Sequence, residues 1–214
     1  MCTAAAPPRT GGGADRLGDV PSPVAPVGRV LLLASLALAF VGCTGDPQPS
    51  FDPTGPCTTD GRAPGAYPDL EARVPATYRE TAPATLDSGR NCSDEQLGSL
   101  AGSFEEVRFA GATWSFGGER ALALVVFNAP GLSAADVADF YEQGARTTPR
   151  VEILDETEPT VTGRPGWRLD AKRVERLQTV VVWPAAESDV VNVIISNDLP
   201  DERIADAVDA FGDR

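Results

Sequence analysis

Residues 177–211, LQTVVVWPAAESDVVNVIISNDLPDERIADAVDAF, decide how this chain folds. Leu177 to Trp183 and Val190 to Ser196 are runs of β-branched and apolar residues separated by Pro184 to Asp189, which predicts two strands joined as a hairpin. The chain then turns polar. Asn197 or Asp198 is placed to cap a helix whose first turn holds Pro200, Asp201 and Glu202, and whose Ile204, Val208 and Phe211 recur at helical spacing. A strand running directly into a capped amphipathic helix is the unit this segment specifies.

The same unit occurs earlier. Ala121 to Phe127 is an apolar run suited to a central strand, Asn128-Ala129-Pro130-Gly131 breaks it, and Ser133 caps a helix with Val137, Phe140 and Tyr141 on one face. The segments LVVFNAPGLSAADVADF and VIISNDLPDERIADAVDAF echo one another, either through an old duplication or because both junctions obey the same capping rules. Strand signals from Phe104 to Phe116 turn at Gly117-Gly118 into the first apolar run, giving another hairpin. Val151 to Leu154 and Trp167 to Arg173 read as further strands, the second launched by the turn Thr162-Gly163-Arg164-Pro165-Gly166. Short helices are expected over 68–74 and after Ser93, which begins a sequence with capping-box spacing. The expected fold is α+β: an antiparallel sheet of about six strands with two main helices packed on one face, occupying residues 67–214.

Composition excludes more than it assigns. The chain has 18 basic and 31 acidic residues, a net charge of −13, so a partner with a phosphate backbone would be repelled and no nucleic-acid role is expected. There is no histidine, which removes Ser-His-Asp and Cys-His nucleophiles and His-based zinc sites. Carboxylate chemistry, Ser-Lys chemistry through the single Lys172, and calcium binding by oxygen remain. No calcium-loop spacing is present, and the acidic pairs Glu105-Glu106, Asp155-Glu156 and Asp201-Glu202 are neighbours in sequence, not the separated carboxyls that glycoside hydrolysis needs. Neither a metal nor a cofactor is expected.

Residues 30–42, VLLLASLALAFVG, form an unbroken apolar run after Arg29 that ends in small residues before Cys43. The run is too short to span a bilayer and has the tripartite form of a secretory signal peptide. Its ending, Phe40-Val41-Gly42-Cys43, resembles the lipobox of bacterial lipoproteins, with Phe40 standing where leucine is commonest. That resemblance implies cleavage before Cys43, lipid (palmitate among its acyl chains) on that cysteine, and a protein held on the extracytoplasmic face of the cell membrane. Cleavage after Ala37-Leu38-Ala39, giving a freely secreted protein, is the other reading. Residues 1–29 are long and rich in Pro, Gly and Ala for a signal-peptide head, and read either as a disordered extension or as lying upstream of the true start, for example at Val20, Val24 or Val27. The domain also looks like small lipoproteins of high-GC bacteria in its Ala, Arg and Pro usage.

Residues 43–66 are crowded with Pro, Gly, Asp and Thr and read as a tether following the signal segment 1–42. With Cys2 discarded and Cys43 lipidated, Cys57 and Cys92 are left to form a disulfide in an oxidising compartment. For a ligand site, Arg164, Trp167 and Arg168 place two guanidiniums and an indole around a rigid turn, where they could hold a carboxylate or phosphate. The expected function is a non-enzymatic binding domain of an envelope lipoprotein, its partners being the membrane through Cys43 and an envelope protein or small ligand. The alternative is a carboxylate-dependent hydrolase of envelope glycans.

Overall fold

The structure is a computed structural model that describes residues 51–157 and 163–212. The segment expected to be a signal peptide, and Cys43, lie outside the described residues. The chain forms one antiparallel sheet whose strands are β1 (Gly61–Ala63), β2 (Thr85–Asn91), β3 (Val107–Ser115), β4 (Ala121–Asn128), β5 (Val151–Thr157), β6 (Trp167–Arg173), β7 (Arg176–Pro184) and β8 (Val190–Asn197). Its helices are α1 (Pro68–Glu71), α2 (Asp94–Leu97), α3 (Ala134–Thr147) and α4 (Asp201–Phe211). The strand order β1-β2-β3-β4-β8-β7-β6-β5 is two four-stranded meanders joined along β4 and β8. The mixed α+β class holds, but the sheet has eight strands where about six were expected.

The two additional strands are the ones with least strand character. β2 reads TLDSGRN and holds its place through polar contacts: Ser88 Oγ accepts the Tyr67 N–H at 2.7 Å and donates to Glu71 Oε1 at 2.8 Å. β1 lies in what reads as tether, and residues 51–66 belong to the folded unit. Phe51 packs against the core, and the buried Arg90 guanidinium donates to the carbonyls of Gly55 (2.8 Å), Pro56 (2.9 Å) and Asp52 (3.2 Å). Cys57 is disulfide-bonded to Cys92, as expected. β1 passes so close to β2 that a Cβ on Gly89 would lie 2.2 Å from the Gly61 carbonyl oxygen. Close backbone approach, not side-chain pattern, makes this edge.

The two main helices lie on opposite faces of the sheet, not on one. Leu124, Val181 and Ile194 face a core completed by Ile204, Ala207, Val208 and Phe211 of α4, with Leu70 of α1. Their strand neighbours Val180, Val182, Val191 and Val193 face the other way, into a core with Val137, Phe140 and Tyr141 of α3. The physical reason lies in the central strands: β8 is buried along most of its length, and a strand apolar on both faces needs cover on both.

The same alternation decides the sequence echo. Leu124 and Val193 hold equivalent places in it, yet they point to opposite faces, because Leu124 pairs with Ile194 and Val125 with Val193. A two-fold axis relating antiparallel neighbours runs normal to the sheet and preserves the face. The echo is therefore offset by one residue from any such symmetry, and a one-residue offset reverses every side chain. Shared junction chemistry accounts for the resemblance; sheet symmetry does not.

That chemistry is itself divided. Ser133 and Asp136 form a full capping box on α3, and Ser93 Oγ accepts the Gln96 N–H on α2. For α4 the N-cap is Pro200, with no side-chain cap. Of the two expected caps, Asn197 ends β8, and Asp198 accepts the Leu177 N–H at 2.9 Å and donates its own N–H to the Leu177 carbonyl at 2.8 Å, closing the end of the β7–β8 ladder.

Candidate functional site: a groove beneath helix α3

Helix α3 lies across β5, β6 and β7 without sealing against them. Between Phe140, Tyr141 and Gly144 of the helix and Leu169, Ala171 and Val180 of the sheet is an open groove of about 660 Å³. Its origin is in side-chain size. Ala171 and Gly144 both line it where larger residues would have taken up space, and a Cβ added to Gly144 meets nothing within 4 Å. A concave, mainly apolar cleft of this volume is in the range of small-molecule sites.

Polar groups gather at one end. Strand alternation puts Arg173 on the groove face with Leu169 and Ala171, and Arg176 with Gln178 and Val180. Arg173 and Arg176 are direct cross-strand partners at the close of the β6–β7 hairpin, an arrangement that sets like charges side by side. Arg176 is ion-paired with Glu119 from the β3–β4 turn. Arg173 is exposed and makes no ion pair or hydrogen bond among the described residues. Deeper in, burial pushes the Tyr141 phenol well above its ordinary pKa, and its hydroxyl has no partner among the described residues.

Beyond Tyr141 lies a smaller crevice of about 80 Å³ against Trp167. At its mouth the carboxyls of Glu142 and Glu156 hydrogen-bond each other, and Arg146 reaches both. The Arg146 bond holds Glu142 below the usual carboxylate range, while the bond from Glu142 raises Glu156. Arg146, ion-paired with both, joins Glu142 of α3 to Glu156 of β5.

The three residues expected to form an anion site are not brought together. Trp167 is half-buried on the α3 face, whereas Arg168, next along the strand, points to the α4 face. There Arg168 donates to Asp201 at 2.6 Å and to both oxygens of Asp170 at 3.0 and 3.3 Å. Burial disfavours the Arg168 charge, but the bonds to Asp201 and Asp170 outweigh it and raise the pKa. Arg164 donates to the Gly212 carbonyl at 2.6 Å. The two arginines therefore meet opposite ends of α4, an eleven-residue helix about 16 Å long, and act as a clamp on it. Of the tryptophans, Trp114 and Trp183 are core residues, each 2% exposed.

Arg173, Arg176 and Tyr141 went unselected in the sequence because nothing in it sets them apart from surface charges and a helix stripe. The available signal was the two-residue gap of Arg173-Val174-Glu175-Arg176, which forces both arginines onto the face shared with Leu169 and Val180. The Cys57, Cys92 and Glu106 side chains form a group with metal-like spacing, but the two sulfurs are joined to each other. No protein family matches this chain, nor does any curated protein.

Proposed function

We propose that the protein is an exported lipoprotein, anchored through Cys43, whose domain is a non-enzymatic binding module using the groove beneath α3. The observation that supports it most is the groove itself: about 660 Å³ of open, apolar-floored space with unmatched polar groups at its rim. A packed domain does not leave such a space without cost, since its lining forgoes dispersion contacts that a closed core would make. Helix α3 stays in place because its capping box and the Glu142–Arg146–Glu156 contacts hold it at both ends.

Gly144→Trp tests the site. Gly144 lines the groove with open space where its side chain would start, so the indole would fill it, and tryptophan improves on glycine in a helix by a few tenths of a kcal/mol. A neutral, environment-sensitive apolar dye is expected to bind the natural protein and lose binding in Gly144→Trp, with the melting temperature unchanged or raised. Dye binding that persists in the variant would reject the groove as the site. The anchor is tested by metabolic labelling with a palmitate analogue: label is expected on the protein and absent from Cys43→Ser, which is released from the membrane. Label retained by Cys43→Ser would reject lipidation at that sulfur.

A further inference from the structure

The geometry points to a specific class of occupant for this groove: a single-chain amphiphile with a carboxylate head, its alkyl chain along Leu169, Ala171 and Val180 and its head on Arg173 and Arg176. The inference rests on the reading of the groove as a binding site and adds the chemistry that site selects.

Three observations carry it. The first is volume. About 660 Å³ is in the range of small-molecule sites and accommodates one alkyl chain with its head.

The second is charge. The protein carries −13 overall, yet the end of the groove has two guanidiniums against the single carboxylate of Glu119. One positive charge is left unmatched, on Arg173, where like-charge repulsion from Arg176 makes an anion favourable. A carboxylate supplies one negative charge and takes a guanidinium in a bidentate fork. A doubly charged phosphate monoester would bring a charge with no partner and set it near Glu119.

The third is the distribution of polarity along the groove. Arg173 and Arg176 pair at the hairpin end, Gln178 lies one step further in beside Ala171 with Asn197 as its other neighbour, and Leu169 pairs with Val180 beyond them, so polarity falls along the groove. The opposite end closes on Tyr141 and Leu169, with only the phenol hydroxyl to offer. Such a lining discriminates the two ends of a ligand, which a uniformly apolar molecule would not exploit.

Calorimetric titration of the purified protein with laurate, dodecanol and dodecyl phosphate tests the assignment. Laurate is expected to bind at least tenfold more tightly than dodecanol, and more tightly than dodecyl phosphate. Arg173 has no hydrogen-bond or ion-pair partner among the described residues, so Arg173→Gln leaves the fold intact and is expected to weaken laurate roughly tenfold, to the level of the alcohol, without changing dodecanol, as loss of one charge-assisted bond implies. Equal binding of laurate and dodecanol, tighter binding of the phosphate, an Arg173→Gln loss shared by acid and alcohol, or no binding of any of the three would overturn the assignment. If neutral dye still binds and Gly144→Trp still blocks it, only the head-group assignment has failed; if the dye does not bind either, the groove reading fails with it.

Discussion

Removing the Cys57–Cys92 link isolates how the amino-terminal segment is held. The bond spans 35 residues, and closing a loop of that length restricts the unfolded chain by about 13 cal/mol/K, or about 3.8 kcal/mol at room temperature. That is about three powers of ten in the folded-to-unfolded ratio. The segment it fastens is held a second time in the native state by Arg90, whose side chain is 4% exposed and donates to three backbone carbonyls. Removing such a buried, hydrogen-bonded charge typically costs about 3–5 kcal/mol. The two act on different states, the disulfide on the unfolded chain and Arg90 on the folded one. Urea denaturation of the natural protein, Cys57→Ala/Cys92→Ala, Arg90→Met and the triple variant should therefore show the triple variant less stable than either parent, with a coupling between these adjoining sites smaller than either cost. A disulfide cost below about 1 kcal/mol, or a triple variant no less stable than Arg90→Met, would refute this reasoning and place the effect of the bond in native contacts that Arg90 already secures.

Val174, 67% exposed, sits at the tip of the β6–β7 hairpin with φ 61°. Relief of about 1–2 kcal/mol of backbone strain against about 0.5–1 kcal/mol of added chain entropy predicts that Val174→Gly stabilises by roughly 0.5–1 kcal/mol in thermal melts; destabilisation would show that the tip is not strained. At β1, Gly89→Ala forces a Cβ onto the Gly61 carbonyl, so hydrogen exchange should show β1 detached at a cost of about 1–3 kcal/mol, and unchanged protection of β1 would contradict the close approach. Burial raises the Asp60 carboxyl, but bonds from Cys92 N–H at 2.6 Å, the Ser93 hydroxyl and Ser93 N–H at 2.9 Å outweigh it and depress the pKa. A depressed folded-state pKa contributes stability that is complete above the ordinary value of 3.8 and lost as pH falls through the folded value. The stability gap between the natural protein and Asp60→Asn should therefore be constant near neutrality and narrow below about pH 4, and a gap constant down to pH 2 would exclude Asp60 as the linked group.

Much of the architecture was legible one segment at a time. The runs Ala121 to Phe127, Leu177 to Trp183 and Val190 to Ser196 became β4, β7 and β8, and Ser133 capped α3. These signals are local: β-branched burial, helical spacing and a side chain within three residues of the N–H it accepts. β1 and β2 were not legible, because Gly61–Ala63 and Thr85–Asn91 are held by distant partners such as Arg90 and Ser88, not by their own pattern. Asp198 likewise had two local uses, and the ladder end at Leu177 took it from the helix.

Sequence alone determined the chemistry that is missing, the strongest strands, the disulfide pair and the two amphipathic helices. Tertiary structure decided which face each helix covers and which arginines remain available. Arg164 and Arg168 are spent at the two ends of α4, while Arg173 and Arg176 stand together at the groove. The reason is that strand alternation gives each residue a face only relative to its neighbours. What occupies that face, whether a helix, a carboxylate or open space, depends on residues far along the chain.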